Sequence, residues 1–128
     1  MSAVSIVIQA LLADSTVYGI VGDQIEPNAL SATATMPAIT ATLVSENEGY
    51  LLTGASGYPN ARVQVECVTL NYPATDNLGK AVISALKDFN GAIAGYSAII
   101  FKGGTDATDF SDDNTVHRRT IDFFVRWR

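Results

Sequence analysis

The sequence predicts an α+β fold, a mostly antiparallel sheet of about four strands with two main helices packed on one face. Two observations predict it. Apolar residues recur at helical spacing in two segments and alternate in the segments between them. The order is helix, strand, strand, helix, strand, strand, and the connections are hairpin-like rather than helical crossovers.

Ser2 is placed to cap a first helix running to about Asp14, in which Val4, Val7, Ile8, Leu11 and Leu12 form the apolar stripe. Asp14-Ser15-Thr16 reads as a break, with Ser15 or Thr16 capping a short second turn through Val21. Ile25-Glu26-Pro27 is a short extended piece that Pro27 keeps off a central strand. The small polar residues from Asn28 to Pro37 read as a loop. A strand of about Ala38 to Glu46 follows, rich in β-branched residues. Asn47 to Asn60, with Gly49, Gly54, Gly57 and Pro59, reads as a long exposed loop or hairpin tip.

Arg62 to Tyr72 is the clearest strand. Val63, Val65, Cys67 and Thr69 share one face, and Arg62, Gln64, Glu66, Val68 and Leu70 share the other. Pro73 suits the start of a helix to about Phe89, with Leu78, Val82, Ala85, Leu86 and Phe89 on one stripe. Asn90-Gly91 is placed to stop it. Tyr96 to Lys102 is a short strand, and Gly103 to Thr115 an acidic turn region. In the last strand, Val116 to Trp127, Ile121, Phe123, Val125 and Trp127 oppose Arg118, Thr120, Asp122, Phe124 and Arg126.

At 128 residues the chain has the size of one domain, residues 1–128, with no internal repeat or interdomain linker. Apolar residues make up 48%, enough for a real core, and charged residues only 16%, which suggests a surface partly covered by something other than water. The net charge of −5 argues against a nucleic-acid reader, which needs a basic stripe. Arg118, Arg119, Arg126 and Arg128 read instead as ion-pair partners. One cysteine, Cys67, allows neither an internal disulfide nor a thiolate cluster. No apolar run approaches the roughly 18 residues of a membrane span. The first residues lack the basic segment of a signal peptide.

Catalytic patterns are not apparent. His117, the one histidine, has no nucleophile elbow to serve and reads as a surface residue. Asp106, Asp109, Asp112 and Asp113 lack the alternating ligands and central glycine of a calcium loop and read as a solvated acidic loop. Gly54 to Gly57 and Gly103-Gly104 are not phosphate cradles. Cys67 reads as a buried inert thiol. No cofactor or metal is expected.

Two helices cover one side of a sheet. The other side would carry Arg62, Gln64 and Glu66 with Arg118, Asp122, Phe124 and Arg126. Such a face reads either as a protein contact surface, aromatic and arginine-bearing, or as a polar face closed by cross-strand ion pairs.

Several short motifs, in order and spacing, then carry a family resemblance over most of the chain. Val21-Gly22-Asp23-Gln24-Ile25, followed by Pro27, resembles the V-G-D-R-I-x-P of tail terminator (tail completion, head-tail joining) proteins of long-tailed bacteriophages. Pro37-Ala38-Ile39-Thr40 is similar to that family's P-Y-I-V at the start of its first main strand. Gly54-Ala55-Ser56-Gly57 with Ala61 to Cys67 is similar to its G-x-S-G and A-R-V-Q-V-D-C. Arg118-Arg119-Thr120-Ile121-Asp122-Phe123 matches its closing R-R-S-L-D-F. The chain departs at Gln24, where arginine is usual, and at His117, where an aromatic is common.

The resemblance implies a non-enzymatic virion protein in the tail or neck, assembled in the host cytoplasm. It implies a ring of copies, typically a hexamer, on the head-proximal end of the tail tube. The ring would stop tube polymerisation and join the tail to a head-completion or connector protein. Its partners would be itself, the tail tube protein and that connector. DNA would only pass through the lumen, without specific binding, and no membrane is involved. A compact chain of this length has a radius of gyration of roughly 14 Å, so six touching copies leave a hole of about one subunit's width. An acidic lumen would let a genome slide. The expected contact residues are the seven on the open face, and Tyr50, Leu51, Leu52 and Tyr58 in the long loop would reach a partner. The alternatives are another neck or head-tail connector protein of the same virion, or a small ligand-binding domain with a deep polar pocket.

Overall fold

The computed structural model describes residues 3–30, 35–51, 54–93, 95–111 and 115–128. The elements, in chain order, are α1 (Ala3–Ala13), α2 (Ser15–Val21), β1 (Ile25–Pro27), β2 (Ala38–Leu51), β3 (Gly54–Thr69), α3 (Tyr72–Leu86), β4 (Phe89–Ile93), β5 (Tyr96–Phe110) and β6 (His117–Trp127). The α+β class holds, but among the described residues the sheet has six strands rather than about four; α1 and α3 are the two main helices, and the short turn expected through Val21 is the helix α2. The strand order is β1-β2-β3-β6-β5-β4. Every pairing is antiparallel except β1 with β2, so the sheet is mixed.

The helix ends follow from capping. Asp14, not Ser15 or Thr16, caps α2, its Oδ1 accepting from the N–H groups of Thr16 and Val17 at 3.0 Å. Asp14 thereby divides one apolar stretch into two helices meeting at 91°. No single helix is long and apolar enough to cross a membrane. Ser2, the expected cap of α1, lies outside the described residues. Asn71 caps α3 through the Ala74 N–H, and the buried hydroxyls of Thr69 and Thr75 both donate to the Asn71 carbonyl. That cluster joins the end of β3 to the start of α3.

The extra strands are the ones whose local signals were weakest. β1 spans three residues, too few for a pattern, and is held at the sheet edge by backbone bonds from Ile39 to Gln24 and from Asn28 to Ala41. Pro27 sits on that edge as expected. α3 ends at Leu86, not Phe89. The reversal falls at Asp88, in the left-handed region with φ 58°, rather than at Gly91. Phe89 and Gly91 belong to β4 instead.

Two segments expected as loops are strand. Residues 47–51 and 54–59 continue the β2–β3 ladder as far as Leu51 opposite Gly54. From Asn60 onward β3 also pairs with β6, so the far end of the hairpin stands clear of the sheet as a two-stranded arm. Five residues on one strand, 47–51, and six on the other, 54–59, give it a reach of roughly 17–20 Å. The acidic region from Gly103 is strand through Phe110, after an irregularity between Lys102 and Asp106. Asp106 and Asp109 are drawn into the ladder by ion pairs with Arg119 and Arg118 across it.

All three helices lie on the sheet face that carries Ile39, Val63, Val65, Cys67, Ile121, Phe123 and Val125, which form one core with Ile6, Val7, Leu11, Leu78, Val82 and Leu86. Full burial of each such side chain contributes roughly 1.5–3 kcal/mol. On the same side Arg119 lies beneath α3. A Cβ at Gly79 would stand 2.5 Å from Arg119 Cδ, so α3 approaches this closely only because residue 79 has no side chain.

Candidate assembly surface

Alternation and register bring the seven residues expected on the open face together. Across the sheet their rows are Val68–Arg118–Asp109, Glu66–Thr120–Ala107, Gln64–Asp122, Arg62–Phe124–Phe101 and Asn60–Arg126–Ile99. Among the described residues no helix covers them. The face divides into a charged end and an aromatic end.

At the charged end Arg118 makes a two-pronged contact with Asp109, Nε to Oδ1 at 2.8 Å and Nη2 to Oδ2 at 3.2 Å. This hydrogen bonding raises the Arg118 pKa above its ordinary value. Thr40, Glu66, Val68 and Arg118 line a shallow groove of about 260 Å³ with residues of the β1–β2 connection. Mid-face, Arg62 pairs with Asp122, its Nε donating to Oδ2 at 2.8 Å. Asp122 is only 1% exposed, and its Oδ1 has no partner among the described residues. The irregular stretch of β5 covers it: a Cβ at Gly103 would stand 3.1 Å from Asp122 Cβ. Asp122 is therefore covered, and its described side-chain bond on this face is the one to Arg62.

The aromatic end is different. Phe101 and Phe124 stack with ring centroids 5.7 Å apart and an interplanar angle of 29°, yet remain 41% and 39% exposed. Ile99 beside them is 47% exposed. Arg126 is exposed and makes no ion pair among the described residues. Asn90, Ser97, Ala98, Ile99 and Arg126 line a cavity of about 420 Å³ opening on this face. Exposed aromatic and aliphatic side chains beside an unengaged arginine make up the composition of an interface centre.

Ile99 and Phe101 lie in a segment whose sequence predicts only a short strand, Tyr96 to Lys102. The available signal was the run Ala98-Ile99-Ile100-Phe101, apolar on both faces, as in a strand covered on both sides. Among the residues expected to reach a partner, Tyr50 and Leu51 fall in β2 and Tyr58 in β3, along the projecting arm. Leu52 lies outside the described residues.

The remaining polar groups serve the structure. Arg119 donates to Asp106 through Nε at 2.8 Å and Nη2 at 2.9 Å, and reaches Asp76 on α3 at 3.5 Å. These hydrogen bonds hold the Asp106 carboxyl below the usual range and raise the Arg119 pKa. Burial pushes the Cys67 thiol up to about 12, against the lowering effect of nearby Arg119. His117, partly buried, lies 6.0 Å from the Phe110 ring. The acids considered as calcium ligands are thus engaged by arginines at Asp106 and Asp109, while Asp112 and Asp113 lie outside the described residues.

The fold is similar to that of a chain in the virion of a native gene transfer agent particle, with a TM-score of 0.74 over 98% of this chain and 94% of that one, at 16% identity. No curated protein sequence matches the chain. The family model for tail completion protein gp17 matches residues 6–128, almost the whole length. The chain therefore belongs to the tail completion protein gp17 family and is a structural protein of a phage-type tail.

Proposed function

We propose that this protein forms a ring, of six copies, on the head-proximal end of the tail tube, where it ends tube polymerisation and joins the tail to the head connector in the virion. The observation that carries the reading is the uncovered aromatic end of the sheet, Ile99, Phe101, Phe124 and Arg126, in a member of a tail completion family. Apolar surface of this kind is stabilised by a protein partner rather than by water. A ring needs two different patches per copy, because a head-to-tail contact that closes is heterologous. In this reading Arg62, Gln64, Glu66 and Arg118 extend the contact from the aromatic end toward the charged end, with Asp122 holding Arg62. The projecting β2–β3 arm reaches the tail tube protein or a neighbouring copy. DNA passes through the lumen unread, in keeping with the net charge of −5.

The test is genetic and visual. A virus lacking this gene is expected to make tails of irregular length that fail to join heads, and the purified protein to appear as rings by electron microscopy. Deleting Leu51 to Gly57 is expected to reproduce the tail defect. Normal virions from the gene deletion would overturn the proposal.

A further inference from the structure

We propose that the two patches of the head-to-tail contact are the aromatic end of the open face on one copy and the outer flank of β2 on the next, with Arg126 of the first copy facing Glu46 of the second. This inference rests on the ring reading and specifies its contact.

A second patch of exposed apolar side chains beside a charge with no ion pair among the described residues lies on the flank of β2. β1 pairs with Ile39 to Ala41, so among the described residues the outer edge of β2 beyond Ala41 has no strand beside it. There Leu43 is 42% and Val44 47% exposed, Val44 at the irregularity between Leu43 and Ser45. Glu46 is exposed and makes no ion pair among the described residues. One patch is thus apolar and acidic, the other apolar and basic, which favours the head-to-tail pairing and disfavours either patch against its own copy.

Their placement forbids the contact within one chain. Glu46 lies opposite Ala61, which lies opposite Val125, so Glu46 and Arg126 are separated by the width of β3. Two strand spacings put their backbones roughly 10 Å apart. Glu46 shares the parity of Ala61 and Val125, which face the helices, whereas Arg126 has the opposite parity. A standard interface takes roughly 800 Å² from each partner. Two such patches use about a quarter of the 6949 Å² surface, which suits a chain with only 16% charged residues.

Charge reversal tests the pairing. Assembly is read as the mass of the purified protein by light scattering, and as tails of normal length when the variant complements a virus lacking the gene. Arg126→Glu and Glu46→Arg are each expected to lose assembly at an unchanged melting temperature, and the double reversal to regain it. An equimolar mixture of Glu46→Cys and Arg126→Cys proteins is expected to form a disulfide-linked dimer that neither forms alone, since Cys67 is fully buried. Single reversals that assemble normally would overturn this contact and leave the ring reading standing. So would a double reversal that stays unassembled together with no cross-link. A wild-type protein that neither forms rings nor restores normal tails would overturn the ring reading and this contact with it.

Discussion

Replacing Gly79 by alanine sets two calculable effects against each other. In a helix interior alanine is favoured over glycine by about 0.8–1 kcal/mol, and α3 would gain that much. The new Cβ, however, would stand 2.5 Å from Arg119 Cδ, 2.6 Å from Nη1 and 2.9 Å from Nε. Arg119 cannot yield freely, because Nε and Nη2 are both bonded to Asp106 and Nη1 faces Asp76. Two hydrogen bonds to a charged group are worth about 1.5–3 kcal/mol each. The Arg119 side chain is 14% exposed and that of Asp106 25%, so solvent screening reduces the sum by about half. Their loss outweighs the helix gain, for a net destabilisation of about 1–2 kcal/mol. In a chain of this size that lowers the melting temperature by roughly 4–8 °C. Urea unfolding at pH 7 measures it, and a double-mutant cycle makes it specific. With Arg119→Ala already in place, Gly79→Ala should become stabilising by about 1 kcal/mol. A wild-type background in which Gly79→Ala stabilises by the same amount would refute the reasoning.

Removing the α2 cap with Asp14→Ala should cost about 1 kcal/mol, seen as a lower urea midpoint at unchanged slope; no loss would mean that the cap is dispensable. Because bonding to Arg119 depresses the Asp106 pKa in the folded state, its contribution to stability is complete above the ordinary Asp value near ~3.9 and is lost as pH falls through the depressed one. Asp106→Asn should therefore flatten the acid side of the stability profile, and an unchanged acid limb would contradict the pairing. Cys67, buried with its thiol pushed up to about 12, should resist iodoacetamide at pH 8.5 in the native state and react within minutes in 6 M guanidinium, about the strength that unfolds most domains. Rapid native labelling would show that this part of the core opens.

Much of the fold is legible in the sequence, because the strands of the inner sheet alternate cleanly. Val63, Val65 and Cys67 on β3, and Ile121, Phe123 and Val125 on β6, were assigned to the buried face from their spacing, and all are fully buried. The family resemblance is borne out over residues 6–128. What escaped lacked a periodic signal. The extended piece Ile25–Pro27 is legible, but three residues are too few to show that it pairs with β2; β4 overlaps the expected end of a helix, and Asp88 takes the left-handed turn expected of Gly91. The aspartates after Gly103 looked like a solvated loop because nothing local shows that Arg118 and Arg119 lie across the ladder from them.

The candidate surface divides in the same way. Alternation alone placed Arg62, Gln64, Glu66, Arg118, Asp122, Phe124 and Arg126 on one face, because side-chain direction in a strand has a period of two and needs no tertiary information. Their neighbours are a different matter. That β5 lies beside β6, that Phe101 stacks on Phe124, that Asp122 is buried under Gly103, and that among the described residues Arg126 has no ion pair and the outer flank of β2 no neighbouring strand all depend on strand order and register. Those are set by long-range pairing and core packing, which no local stretch of the chain encodes. The sequence by itself determined which residues face outward; only the tertiary structure decided which of them remain available to a partner.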